Sequence, residues 1–496
     1  MRLSQSILKV NTLILICFVA IALGGQRLTI QAAKTLSDRE IALGVESELL
    51  SSEAVASHKI DAACHDAIVT LSGKVANLLA RQAAFEIAQS VRGVESVINQ
   101  IVVITDNRDD DEILEDLKNA FDSSDVLEQS DIKLNVDYST AKLTGTVQSQ
   151  IERKLAGEIA QGVKGLIEVN NQLKIADTNQ RPDSEIQEEL DRLYQSDALL
   201  SDSELEVSVS DGKVILSGFV PTSAAKHRAS KYAAHSGAES VDARGIQVDF
   251  DRYDGTRRRS RLVGLTDDKI VETVELALRY DPRVLSYLKT IDVSSDGGTV
   301  TLTGKVGRLQ AKESAEETAR GTLGVWRVKN QLKVRYSDKE PTAHEIIDYV
   351  QAAFLRDPYV SRHEIRVHCR NGHVSLYGLV DTKFEKKAAG WISGSQKGVV
   401  HVNNYLSVAK EWEPKADAEI KADIEEKLKR TFFDKSNKID VTVEDGVAIL
   451  RGQVDTWRLW QTALDKVIEA GARRPHNLLE VRFHPQHGSK DIYVPR

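Results

Sequence analysis

Five histidines crowd one stretch of the chain: His344, His363, His368, His373 and His401. Imidazole is a common metal ligand, so coordination chemistry would sit here. A two-residue hairpin turn at Asn371-Gly372 makes His368 and His373 a diagonal pair on one sheet face, with Cys369 on the other. Two ligands without a third do not close a metal site. Solvated imidazoles are expected, with no metal and no other cofactor. Cationic chemistry is better represented. Arg257, Arg258, Arg259 and Arg261 form the strongest positive cluster, and guanidinium groups so placed recognise phosphate and carboxylate. A second set, Arg81, Arg153, Lys226, Lys312 and Lys386, is spread along the chain. No repeated position joins a nucleophile to a base and an acid, and no glycine loop is placed to cradle phosphate. The chain is not expected to be an enzyme.

The second set follows a repeat. A glycine recurs within an alternating strand as Gly73, Gly145, Gly218, Gly304, Gly378 and Gly452, in phrases such as VTLSGKV and VTLTGKV. Each cation of the set lies eight residues after its glycine, and Trp460 takes that place in the last copy. There a long stem covers a core edge while its charge reaches water; Trp460 suits packing or an interfacial anchor. Intervals of 72, 73, 86, 74 and 74 residues mark tandem modules, with one long connection in the middle.

Elements must hold these positions. Each module opens on a helical pattern, such as Ile41, Val45 and Leu49 or Ile346, Val350 and Phe354. Ser37…Glu40, Asp109…Glu112 and Thr342…Glu345 have capping-box spacing. A hairpin follows, with turns at Asp211-Gly212, Asp296-Gly297, Asn371-Gly372 and Asp445-Gly446. A second helix carries an alanine eleven residues after each glycine: Ala84, Ala156, Ala229, Ala315, Ala389 and Ala463. The glycine is expected to face the core and let this helix lie close on the sheet. A second glycine (Gly93, Gly165, Gly237, Gly324, Gly398 and Gly471) is expected to cap that helix, and a third strand closes the unit. The fold class is α+β: six tandem αββαβ units, each a small three-stranded mixed sheet with two helices on one face.

The strand glycine, the later glycine and a Val-x-Asn before the last strand (Val97–Asn99, Val169–Asn171, Val328–Asn330 and Val402–Asn404) resemble the BON domain family (bacterial OsmY and nodulation). Unit three departs with Ala243 in the asparagine position. Unit six has Pro475 in the valine position, which points to an edge-like or irregular strand. The division read from the sequence is units at 36–104, 109–176, 181–250, 266–335, 341–409 and 415–484, a basic linker at 251–265 and a tail at 485–496. The linker reads as a solvated, protease-sensitive hinge between two halves of three units each.

Residues 1–33 carry Arg2 and Lys9, then an apolar run, then small residues, the layout of a signal peptide or N-terminal membrane anchor. An exported, periplasmic chain is expected. Removing that segment takes the formal net charge from −8 to −11, which disfavours nucleic acid. Cys64 and Cys369 then remain, each nine residues before a repeat glycine, and buried free thiols are expected. The resemblance implies a cell-envelope protein of osmotic or envelope stress whose partner is anionic phospholipid or another envelope surface. The basic linker and the helical basic row would supply the contact. The alternative is a periplasmic protein-interaction or chaperone-like scaffold. It would bind envelope proteins through the outward face of the second strand, which is apolar in unit three (Ile215, Phe219) and unit five (Tyr377, Leu379) but polar in unit one (Thr70, Ser72, Lys74).

Overall fold

The computed structural model describes residues 36–55, 60–105, 107–127, 130–176, 181–253, 256–262, 265–335, 341–409, 415–430 and 439–482. The signal or anchor reading lies outside them. The described residues from Ser37 onward form one compact body containing all six units.

Unit one sets the pattern: helix Asp38–Ser51, strands Ile60–His65 and Ile68–Val75, helix Leu78–Ser90 and strand Ser96–Val103. The second strand is central, antiparallel to the first and parallel to the third. This mixed sheet recurs in every unit, and the expected αββαβ fold is what the chain adopts. All six helical alanines are fully buried. Neighbours also share cores, units one and two in one cluster and units four and five in another.

The strand glycine answers to a different constraint from the one expected. Its φ is positive throughout, from 110° at Gly218 to 147° at Gly378. A Cβ on Gly145, Gly218 or Gly304 would collide with the carbonyl oxygen of Asp131, Glu204 or Thr290, at the start of the first strand or just before it. The neighbouring strand's backbone, not the helix, excludes a side chain. The second glycine is likewise recast. It directly follows the C-cap in units three and six (Gly237, Gly471), but lies two or three residues past the cap elsewhere, as at Gly93 and Gly165.

Caps and turns hold with adjustments. Ser37 and Thr342 form their capping boxes with Glu40 and Glu345, whereas Asp109 caps the Asp111 N–H and forms no box. Unit four turns at Gly297-Gly298, because Asp296 is the last residue of its strand. An aspartate at the first helix's first residue accepts both backbone N–H groups of the hairpin turn in five units: Asp38, Asp110, Asp183, Asp267 and Asp417. Unit five has Ala343 there. Pro475 does not disorder its strand. Arg474–Val481 stays in continuous register with Val447–Val454, at the edge, where a missing N–H is tolerated.

The two halves of the chain do not hinge apart. Residues Thr256–Leu262 of the linker are a helix, and units pair across it. Arg92 of unit one donates its backbone N–H to Arg430 O of unit six at 3.0 Å. Lys164 of unit two does so to Arg356 O of unit five at 2.8 Å, and Leu323 of unit four to Ser196 O of unit three at 2.7 Å. The three donors each follow the strand glycine by nineteen residues, and the three acceptors each end a first helix. Helix C-terminal carbonyls lack intrahelical partners, so each pair caps a helix end across the interface.

Candidate functional site

Arg81, Arg153, Lys226, Lys312 and Lys386 are all half-buried, as snorkelling stems should be. What fixes them is the asparagine of the third strand. Asn99, Asn171, Asn330 and Asn404 donate Nδ2 to the backbone carbonyls of Arg81, Arg153, Lys312 and Lys386, at 3.2, 2.7, 2.8 and 2.6 Å. Their Oδ1 atoms accept the N–H two residues on, from Ile101, Leu173, Leu332 and Leu406. Asn477 clips to Trp460 O in the same way, and Trp460 itself is buried and stacked on Trp457, so it packs rather than anchors. In unit three, where Ala243 replaces the asparagine, Lys226 Nζ reaches across to Ile246 O at 2.7 Å. Lys226 is therefore spent on structure. Arg81, Arg153, Lys312 and Lys386 make no side-chain ion pair among the described residues.

The arginine run is placed otherwise than its composition suggests. Arg258 is 1% exposed; its backbone N–H donates to Asp202 at 3.1 Å and its Nε to Ser201 Oγ at 3.2 Å, while Asp455 of unit six lies 3.6 Å from Nη1. Arg259 faces Asp455 at 3.7 Å, Arg261 donates to Ser201 O, and Arg257 pairs with Glu204. The expectation of a solvated basic hinge is corrected: the run clasps unit three to unit six. A buried guanidinium costs heavily unless it is paired and hydrogen-bonded, and the fold supplies both.

Other candidate groups are likewise spoken for. His363 Nε2 stands 3.2 Å from Glu385 and close to Asp381, the one described cluster with metal-ligand types. Arg362 already bridges both carboxylates, so its guanidinium occupies the place a cation would take. His368 and His373 are exposed, and His373 lies beside His401, with ring centroids 5.6 Å apart. Both thiols are free; Cys369 is buried, and Cys64 is half-buried against Asp38, where burial and that carboxylate push it up to about 12.

A cavity of about 320 Å3 lies among units two, three, four and six. Its cations are largely matched: Arg228 to Asp197 at 2.7 Å, Arg283 to Asp281 at 2.9 Å and Arg458 to Glu317 at 3.3 Å. Burial and the Lys154 ammonium hold Lys231 down to about 8.

In two units, residues beyond the second strand alter the outward sheet face. Unit one is crossed by exposed Ile98 and Val102 of its third strand, besides the polar residues of its second. In unit three, Phe219 is half-covered by the Arg252 guanidinium, 3.9 Å from the ring centroid. Unit five does present Tyr377 and Leu379, joined by Tyr405. Third-strand contributions to these faces are hard to foresee, because the register of that strand on the second is not written locally.

Among known protein families, the BON domain model matches residues 37–105, 109–177, 182–249, 266–336, 342–410 and 416–482. Osmotically-inducible protein Y of Escherichia coli (strain K12) is 29% identical over 140 residues, 27% of this chain and 70% of that protein. Among solved structures, two of CdsD, a structural protein of the Type III secretion system of Chlamydia trachomatis, align over 44% and 46% of this chain and 94% and 100% of theirs. They do so at 12% and 14% identity with a TM-score of 0.13, too low to carry an argument.

Proposed function

This chain belongs to the BON domain family, with six copies of the module, and on that premise we propose a non-enzymatic, exported cell-envelope protein that binds anionic phospholipid surfaces. A role in osmotic or envelope stress is supported by the similarity to an osmotically inducible protein. The observation that carries the lipid reading is the set Arg81, Arg153, Lys312 and Lys386. Four cations recur at one repeat position without an ion pair among the described residues, although the chain is acidic overall. Weak contacts on modules fixed in one body gain avidity from their number.

The purified chain should co-sediment with vesicles containing phosphatidylglycerol and not with pure phosphatidylcholine. Binding should fall as salt shortens the screening length from about 10 Å at 0.1 M to about 3 Å at 1 M. Exchanging the four cations for glutamine should weaken it further. Equal binding to neutral vesicles, or indifference to salt, removes electrostatic lipid recognition. The scaffold reading would then lead, favoured by exposed Ile68, Ile98 and Val102 on unit one.

A further inference from the structure

The six modules serve as one another's controls. On the outward face of the sheet, five of them carry carboxylates: Asp61, Asp137, Glu206, Asp292 and Asp440 are examples, one from each of units one, two, three, four and six. Unit five has none on its strands. Its first strand presents Arg366, His368 and Arg370, and its second presents His373, Ser375, Tyr377 and Leu379. From its third come His401 and Asn403, followed by Tyr405. Twelve residues before the strand glycine, where units one, four and six have aspartate and unit three glutamate, unit five has Arg366.

The apolar groups on this face are grouped rather than scattered. Tyr377 and Tyr405 stack with centroids 5.3 Å apart and 19° between planes. They are 43% and 58% exposed, and Leu379 beside them is 56% exposed. Two carboxylates border the face: Glu364, just before the first strand, and Glu313 of unit four's second helix, which interacts with His401.

We propose that the outward sheet face of unit five is the surface by which the chain docks on an anionic phospholipid bilayer. This rests on the lipid-binding reading and adds to its helical cations a contact on one sheet face. Amphipathic tyrosine rings settle at headgroup depth, and arginines pair with phosphates beside them. An acidic chain approaches an anionic surface more easily through a sheet face whose strands carry no carboxylate, and among the described strands only unit five offers one. The stacked tyrosines and Leu379 give the contact a part that salt does not screen.

The test uses the full chain and vesicles of phosphatidylcholine with phosphatidylglycerol. Arg366→Glu with Arg370→Glu should lower vesicle affinity by about ten-fold or more. Tyr377→Ser with Tyr405→Ser should chiefly remove the binding that persists at high salt. Lys133→Glu, the equivalent position of unit two, should change it little. Hydrogen exchange of the unaltered chain should show vesicle-induced protection in His373–Tyr377 and His401–Asn404, a readout independent of whether any variant folds. Strong vesicle binding without protection there, or unaffected by either unit-five variant, overturns this assignment while leaving lipid binding intact. Failure of the unaltered chain to bind anionic vesicles overturns both.

Discussion

A methyl group at Gly304 would be driven against the Thr290 carbonyl, and the residue's φ of 117° already lies outside what L side chains comfortably adopt. Both penalties attach to the Cβ itself, not to the size of the side chain beyond it. Gly304→Ala should therefore cost at least about 1–3 kcal/mol, and Gly304→Val only modestly more. Denaturant unfolding of the full chain measures both. A nearly neutral alanine with a costly valine would instead restore the idea that the helix crowds this glycine. The asparagine clip is the second residue-scale device. Its one exception, Ala243, is met by Lys226 spanning to Ile246 O, so a missing hydrogen bond at one position reassigns a side chain at another.

Among the elements, departures from the repeat coincide with contacts between units. Second helices begin on a capping side chain at Asn77, Ser149, Thr222, Thr382 and Thr456. Unit four has Arg308 instead, which caps nothing and reaches Asp125 of unit two at 2.9 Å and Ser395 O of unit five at 3.0 Å. Helix Thr256–Leu262 is the same kind of departure, an insertion whose Arg258 is enclosed by units three and six. Backbone held in a packed helix is a poor protease substrate. Trypsin should therefore spare Arg257–Arg261 in the native chain, and Arg258→Ala should turn this segment into an early cleavage site. Rapid cutting there in the unaltered chain would return the segment to a solvated hinge.

At the scale of the whole body, the pairing of units is nested about that helix: three with four, two with five, one with six. The outermost pair has its own chemistry. Glu48 and Lys427 occupy the same first-helix position in units one and six, meet at 3.3 Å, and are both buried; Lys466 joins Glu48 at 2.7 Å. Burial drives the Glu48 pKa up, but the Lys466 and Lys427 ammonium groups outweigh it, and the net displacement is below the ordinary 4.5. A carboxylate depressed in the folded state contributes stability that is present above pH 4.5 and lost as pH falls through its lower native value. Spin labels on units one and six should accordingly separate upon acidification well below pH 4.5. Glu48→Gln should separate them already at pH 7, at a cost of about 3 kcal/mol for breaking a buried ion pair. Labels that stay together in both cases would show that the backbone caps alone hold the pair.

The sequence by itself determined the module: its periodicity, turn dipeptides and recurring glycines and alanines are local or separated by tens of residues, so they declare an αββαβ unit and count six of them. It also determined the cationic row, because its register is that of the repeat. Tertiary structure decided what each irregularity is for. Arg258 reads as a solvated charge and is buried, because its partners Ser201, Asp202 and Asp455 lie far off in sequence and only folding assembles them. Arg366, Tyr377 and Tyr405 become one face only when three strands take their register. A repeat specifies what each unit does alone; complementarity between units lies in the residues that break it, and their meaning depends on which unit folds against which.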